Sequence, residues 1–417
     1  MTTRTSDVLV LGGGVIGLAC AYYLLAAGRS VTVLEQGTAG CAASHGNCGT
    51  LTPSHAAPLA MPGTIATALR WLLKPEAPLR IAPRVDPALL RWLLGFAAHC
   101  NWRDALHATA AKAPLLQRSR LLIEELVRTE GLDCEFEASG TLNVFRDRSA
   151  FEQACGLHER LADFAPPVEV LDEATTLARE PALKRGIAGA LFHPGDAQLR
   201  PDRYVAELAR VVRAKGGVIE ERTRIDTILR ERGRITRVRT SQGDFGGRDI
   251  VFALGAWSPR FARSLGLRIP IQPGKGYSIT YTRPVLCPRI PLTLKEPSVC
   301  VTAWGSGYRL GSTMEFAGYD TRLNRVRLDA LRHGAAQFLH EPEGPAVVEE
   351  WYGWRPMTPD DLPVLGRVEG IDNLLMATGH GMLGVTMSAG TGLLVSELAC
   401  GRSPSLDCTP FAPARFN

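Results

Sequence analysis

The 417-residue sequence contains no CxxC pair, and none of its ten cysteines stands at metal-ligand spacing from a histidine. Neither a zinc site nor a dithiol redox motif is therefore expected, and the thiols read as mostly buried groups of a reducing compartment. No uncharged apolar stretch reaches the roughly 20 residues that span a bilayer. An excess of one charge is also missing: 47 Lys and Arg stand against 42 Asp and Glu, a net +5, with the basic residues scattered along the chain. A nucleic-acid partner is thereby disfavoured, whereas weak attraction to an anionic membrane surface or an anionic substrate is allowed. Internal repeats and low-complexity linkers are absent too, so any domains should be interleaved in place of strung together. What is present is an ordinary globular balance, 45% hydrophobic and 21% charged, in a chain long enough for two or three domains. Arg4 and the apolar run through Ala27 could pass for a signal peptide. Gly12, Gly13 and Gly14 interrupt that run, and the pattern described next requires it in the mature fold, so a cytoplasmic location is expected.

The first 35 residues carry the sharpest pattern. Asp7 to Leu11 is a short, β-branched-rich apolar run ending in glycines, which reads as a buried parallel strand. It leads into Gly12-Gly13-Gly14-Val15-Ile16-Gly17, a G-x-G-x-x-G that opens a helical pattern ending at Gly28. A second strand, Ser30 to Leu34, closes on Glu35 and Gln36. Gly12 permits the tight turn, Gly14 lets a pyrophosphate approach the backbone, and Gly17 lets helix and strand pack closely. The helix start at Val15 and Ile16 offers free N–H groups and a partial positive charge. Glu35, 21 residues after Gly14, would accept from ribose hydroxyls and repel a 2′-phosphate. The unit implies a dinucleotide but does not separate NAD from FAD.

The following segment, Ala43-Ser44-His45-Gly46-Asn47-Cys48-Gly49, is small and polar where a nicotinamide dehydrogenase usually begins a third unit. Such a loop can lay a hydroxyl, an amide and several N–H groups along a pyrophosphate and a flavin. Near the other end, Gly353 to Asp360 and Thr378-Gly379-His380-Gly381-Met382-Leu383-Gly384 bracket an apolar strand, Asn373 to Ala377, and a helix follows from Val385 to Ala399.

These pieces together resemble the D-amino-acid oxidase superfamily of FAD-dependent amine oxidoreductases, and within it the bacterial D-amino-acid dehydrogenases. The resemblance covers nearly the whole chain. It rests on residues 12–17 with Glu35, the S-x-x-N-x-G loop at 44–49, Ala56-Ala57-Pro58 to Pro62-Gly63, Pro273-Gly274-Lys275-Gly276-Tyr277-Ser278, Arg355 to Asp360, and the turn at 378–384. It implies an α/β protein with a Rossmann-like FAD-binding domain built on a parallel sheet, and a second α+β substrate domain with a mixed sheet. The FAD domain would be discontinuous, formed by 1–56, 195–262 and 348–417, with 57–194 and 263–347 forming the substrate domain. Arg203 to Gly216 reads as a helix. Gly217 to Glu220, Ile235 to Val238, Asp249 to Leu254, Gly140 to Phe145 and Tyr277 to Thr282 read as strands, and Gly255 follows as a tight approach to a ligand.

The resemblance also implies the chemistry: oxidative deamination of a D-amino or D-imino acid on non-covalent FAD, with electrons passing to a quinone or another non-oxygen acceptor. Arg355 matches the position that binds the substrate carboxylate in related amine oxidases, a natural task for a bidentate guanidinium. A structural arginine paired with Asp360 or Asp361 is the alternative. Tyr277 would contact substrate from the sheet above the flavin, or else be a core tyrosine. Lys275, read in a Gly-flanked turn, would sit near the flavin or point to water. His380 lies in a turn whose N–H groups can stabilise reduced flavin, and it is a candidate for acid–base work. His45 and Cys48 invite a covalent flavin, but relatives with a histidyl flavin carry histidine nearer Asn47. His55 stands where the dehydrogenases carry an aromatic residue, which leaves linear D-amino acids, D-proline and hydroxy-D-proline open as substrates. Glycine or sarcosine oxidation, and a non-catalytic electron-transfer subunit, are the competing readings. The apolar stretch Ala88 to Phe96 with Trp71-Leu72-Leu73 allows a peripheral contact with the cytoplasmic face of a membrane, or packs inside the substrate domain.

Overall fold

A computed structural model describes residues 3–416. The β-branched run near the N-terminus forms the strand Arg4–Leu11, whose last four residues are fully buried. It lies parallel between Val31–Leu34 on one side and Gly243–Phe252 on the other. A strand covered on both faces needs no polar alternation, which is why Val8 to Leu11 is continuously apolar. The chain then turns through Gly12 at φ 105°, where a Cβ would lie 2.5 Å from the Ala253 carbonyl oxygen. Helix Val15–Ala26 follows at once. Its Gly17 sits so close to the turn that a Cβ there would be 1.9 Å from the Gly12 carbonyl oxygen.

Around this unit the chain builds an eight-stranded sheet. Val31–Leu34 pairs in parallel with Val218–Glu220, and Gly243–Phe252 pairs in parallel with Leu374–Thr378. The antiparallel hairpin of Ile225–Glu231 and Arg234–Thr240 extends one edge, and Val364–Arg367 pairs with Leu374–Thr378. One face carries Val8, Val10, Val33 and Leu375 against the helices Val15–Ala26 and Gly384–Ala399. These two helices approach closely because Gly392 has no side chain: a Cβ there would stand 2.6 Å from the Ala19 carbonyl oxygen. The other face buries Leu9, Leu11, Phe245, Ile250 and Met376.

A second, nine-stranded mixed sheet stands over the carboxyl ends of the first. Its order runs Val347–Met357, Gln272–Tyr281, Gly307–Phe316, Val299–Trp304, Leu292–Leu294, Thr141–Phe145, Gly189–His193 and Glu169–Leu171, with Leu79–Ile81 beside Gly307–Phe316. Tyr277, Ile279, Tyr281 and Leu310 pack one face of it on helix Arg325–Phe338. The other face looks toward the glycine turns of the first sheet. The fold class is therefore the expected one.

Two expectations need correction. The segment from 348 was assigned to the nucleotide part, yet Val347–Met357 is an edge strand of the second sheet, paired with Gln272–Tyr281 along nearly its whole length. The Gly-flanked turn around Lys275 is the interior of that same Gln272–Tyr281 strand. Its glycines serve close approach and not chain reversal, since a Cβ on Gly274 would lie 2.5 Å from the Met314 sulfur, and one on Gly276 would lie 2.4 Å from the Arg355 guanidinium carbon.

Among the described residues no helix is long and apolar enough to cross a membrane. Helix Thr64–Leu72 has no buried residue at all.

Replacing Gly17 by valine tests the turn. With the Gly12 carbonyl already in contact, the extra carbons must force strand and helix apart, at a cost of about 3 kcal/mol or more. The variant should melt earlier by calorimetry and emerge from gel filtration depleted of nucleotide.

Candidate active site

Between the two sheets lies a cavity of about 1040 Å3. Ordinary small-molecule pockets span roughly 300–1000 Å3, so this one has room for a dinucleotide and a substrate together. Gly12, Gly14, Val15, Ile16, Glu35 and Gln36 line its inner end. The Glu35 carboxylate accepts from the Gly13 N–H and the Gly37 N–H, both at 2.9 Å, and so is already aimed when a ribose arrives. Helix Val15–Ala26 has no acidic residue in its first turn, and Ser44 Oγ accepts from the Val15 N–H at 3.1 Å. A Cβ on Gly14 would meet nothing nearer than Ser44 Oγ at 3.7 Å, so the cradle above that glycine is open.

The 43–49 loop runs from this end toward the second sheet. Ser44, Gly46, Asn47 and Cys48 line the cavity, whereas His45 does not. His45 Nε2 instead lies 2.9 Å from Glu349, which supplies no route to a histidyl flavin through that ring. Asn47 Oδ1 accepts from the Gly49 N–H at 2.7 Å, and Gly49 itself is held against the Leu199 carbonyl, outside the cavity wall. A residue that sequence reasoning missed fastens the loop. Arg309, almost wholly buried, donates through Nη1 to the carbonyls of Asn47 and His45 and through Nε to Thr280 Oγ1.

The C-terminal turn closes the opposite wall. Gly379 and Gly381 take φ 76° and 54°, and Gly381, Met382, Leu383 and Gly384 line the cavity. Gly379 lies behind them, beside Thr358 and Val364. Helix Gly384–Ala399 starts there with no side-chain cap and no acidic residue in its first turn. Two helix starts with no acidic residue in their first turn thus converge on one cavity, and each presents partial positive charge to an anionic or electron-rich ligand. Gly255, at φ 52°, completes the wall.

The roof is the second sheet. Arg355 lines it, donating from Nη1 to the Thr313 carbonyl at 2.6 Å and from Nη2 to the Ser312 carbonyl at 3.4 Å. The alternative partners are taken: Asp360 pairs with Arg415 at 2.7 Å, and Asp361 pairs with Lys112 at 2.7 Å. No carboxylate lies within ion-pair distance of Arg355 among the described residues, and burial lowers its pKa. Lys295, unforeseen in the sequence, adds a second buried cation to the lining. The lining carboxylates are Glu35 and Asp226, both carried by the first sheet. The roof end is therefore positive and lacks a counter-anion.

Lys275 and Tyr277 fall on the wrong face. Strand side chains alternate, and Gly276 faces the cavity, so its neighbours point into the core against helix Arg325–Phe338. Lys275 Nζ donates to the Arg322 carbonyl at 2.5 Å and lies 4.6 Å from the centre of the Tyr352 ring. The Tyr277 hydroxyl donates to Glu315. Tyr277 borders the cavity, but its polar end is spent elsewhere. His380 lines the cavity with Nε2 3.0 Å from Thr391 Oγ1, and burial pushes its pKa down to about 3, which makes it a poor proton acceptor at neutral pH. His55, whose open surface faces the enclosed cavity, is likewise pushed down to about 3, by burial and then by Lys295 and Lys112.

The chain matches the family described as FAD dependent oxidoreductase over residues 7–398, and it belongs to that family. It is 35% identical over 416 residues to a D-amino acid dehydrogenase of Xanthobacter autotrophicus, covering 98% of this chain and 99% of the relative. It is 36% identical to a D-amino acid dehydrogenase of Rhizorhabdus wittichii, covering 98% and 100%. Among solved structures it is similar to glycine oxidase from Geobacillus kaustophilus, with a TM-score of 0.80, 25% identity and 99% of each chain covered. L-proline dehydrogenase from P. horikoshii shares the fold, with a TM-score of 0.74 at 20% identity, covering 100% of this chain and 98% of that one. The protein is thus an FAD-dependent oxidoreductase. The open cradle at Gly14, the oriented Glu35 carboxylate and the two helix starts fit that cofactor.

Two buried histidines weigh on stability in acid. His193 and His380 have folded pKa values lowered to about 4 and 3, so the unfolded chain binds their protons first as pH drops below the ordinary 6.5. Stability should therefore fall as pH is lowered from 6.5 toward 4. Asp196, raised to about 6 by burial, opposes this by one proton and does not cancel two. Denaturant titrations at pH 7.5 and 5 check it: an unfolding free energy that rises on acidification would contradict the neutral burial of these rings.

Proposed function

We propose that the chain oxidises D-amino or D-imino acids, D-proline and hydroxy-D-proline included, and passes the electrons to a quinone or another non-oxygen acceptor. The observation that carries this is Arg355, a guanidinium in the cavity roof with carbonyl partners only and no carboxylate. Such a group asks for a ligand anion, and an α-carboxylate matches its fork. The names of the relatives supply the D-amino-acid class. Held by Gly14, Glu35 and the two helix starts, FAD would supply the hydride acceptor for oxidation of the substrate Cα–N bond to an imine, which water would hydrolyse to the 2-oxo acid.

The chain's own part is positioning. Arg355 anchors the carboxylate, and Lys295 keeps that end of the cavity positive. Trp351 narrows the space between roof and nucleotide and excludes water. His380, tied to Thr391, and His55 are both weak bases, so the substrate amine enters already deprotonated by solvent and not by either ring. The nucleotide layer is proposed to comprise 1–56, 195–262 and the part of 348–417 beyond the roof strand. A non-catalytic subunit would have no use for an unpaired guanidinium.

Removing one partner of a buried charged hydrogen-bond pair costs about 2–5 kcal/mol, so Arg355→Ala should lower kcat/KM for D-amino acids by roughly 30-fold or more. Arg355→Lys should recover only part of the loss. Both are measured by dye reduction on protein shown to hold full FAD. Unchanged kcat/KM would remove Arg355 from the site. In the wild type, preferential turnover of L-enantiomers, or of glycine and sarcosine alone, would overturn the D-amino-acid assignment.

The acceptor reading draws on the cavity rim. Helices Thr64–Leu72 and Pro87–His99 line one side of the cavity, and Leu73 after the first helix with Leu90 and Leu94 of the second face outward, Leu73 84% exposed. Arg70, Lys74 and Arg91 flank them. An apolar patch with a basic fringe suits an anionic bilayer carrying quinone. Wild-type protein should sediment with phosphatidylglycerol-containing vesicles, and Leu73→Glu combined with Leu94→Glu should stay in the supernatant while keeping dye-linked turnover. Equal partitioning of the two proteins would refute the membrane contact.

A further inference from the structure

One row of residues crosses the cavity face of the roof through its backbone register: Thr293 opposite Cys300, Cys300 opposite Gly311, Gly311 opposite Ser278, and Ser278 opposite Trp351. Directly opposed residues in an antiparallel pair carry Cβ atoms about 4.5–5.5 Å apart. At Gly311 the side chain is missing, and the vacated position is filled from below. The Cys48 sulfur, carried by the 43–49 loop, lies 2.5 Å from where the Gly311 Cβ would be. Cys48 therefore occupies the slot next to Cys300, and both sulfurs line the cavity. Both thiols also face the charge of Arg355.

We propose that Cys300 and Cys48 are a peroxidatic and resolving pair, which turns oxidation of the catalytic cavity by hydrogen peroxide into a reversible disulfide. The Cys300 thiolate attacks one peroxide oxygen, the O–O bond breaks, and sulfenic acid and hydroxide result. The Cys48 thiol then attacks the sulfenic sulfur, an S–S bond forms, and water leaves. In total two thiols and one peroxide give one disulfide and two waters, and an external dithiol reverses the reaction. The surroundings suit this division of labour. The neighbouring Cys48 thiol, then Thr293, Arg355 and Lys295, favour the Cys300 anion and lower its pKa. Cys41 lies in an exposed position without such neighbours, so exposure alone does not single out the pair.

The pair has a clear use beside Arg355. Without a resolving thiol, a second peroxide would carry Cys300 to a sulfinate, a permanent anion against the guanidinium assigned to the substrate carboxylate. The disulfide is neutral and leaves that guanidinium open. This last consequence rests on the proposed role of Arg355, whereas the covalent chemistry does not.

The test treats FAD-loaded enzyme with hydrogen peroxide and reads peptide masses, thiol count and KM. Wild-type protein should lose two thiols, yield a peptide linking Cys48 to Cys300, and return to the starting mass with dithiothreitol. Cys48→Ser, or Cys48→Ala if the serine variant loses FAD, should instead gain two oxygens at Cys300 that dithiothreitol does not remove. Its KM should then rise at least several-fold over its own untreated value, at constant FAD content. Cys300→Ser should show neither change. Absence of the Cys48–Cys300 peptide in the wild type, or sulfinate accumulating at Cys300 equally with and without Cys48, overturns the proposal. A linked peptide with no KM effect in the Cys48 variants would keep the pair and count against the Arg355 reading alone.

Discussion

Arg309 is a cation, 1% exposed, with its nearest carboxylate oxygen, on Glu349, 3.9 Å away. Its hydrogen bonds go to two loop carbonyls and a threonine hydroxyl, and a buried charge satisfied this way cannot be removed without leaving those oxygens unpaired. What it holds is the seam of the molecule. The 43–49 loop touches the nucleotide helix through Ser44, the roof through Cys48 at Gly311, and Trp351 through Gly46. If this loop drifted, the cavity would lose its registry between the layer that binds the cofactor and the layer that binds the substrate. Buried guanidinium against backbone carbonyls is a geometric device as much as an energetic one, because the planar donor fixes direction.

The lining carboxylates, Glu35 and Asp226, both belong to the first sheet, where ribose hydroxyls need acceptors. Arg355 and Lys295 stand at the roof with no carboxylate beside them, where an anionic substrate needs donors. This placement separates the ribose end of the cavity from the end suited to an anion.

Much of this was legible in the sequence where the constraint is local. The 7–35 unit, the helix read at 203–216, which spans Pro201–Ala214, and the glycine turn at 378–384 each announce themselves through glycine spacing and apolar runs, and Arg355 followed from motif resemblance. What failed was facing. Lys275 and Tyr277 attracted attention as chemical residues, but in Gly274-Lys275-Gly276-Tyr277 the period of two assigns the glycines to one face and the polar residues to the other. Alternating glycine beside a crowded Arg355 was the readable signal that the cavity lay on the glycine side. Arg309, Lys295 and Cys300 carried no signal of that kind. Each sits in an unremarkable strand or strand end, and its role exists only through register with strands far away in the chain.

That register also governs how the protein can be made. The central strand Arg4–Leu11 is flanked by Val31–Leu34, which emerges at once, and by Gly243–Phe252, which in turn leans on Leu374–Thr378 and the helix that follows it. At about 5–20 residues per second the ribosome takes on the order of tens of seconds to supply those partners. Through that interval the buried half of that strand, Val8 to Leu11, has one open edge, and the seat for the cofactor lacks its C-terminal wall. Closure of the cofactor cradle therefore waits for the turn at 378–384, whose residues Gly381 to Gly384 line the cavity.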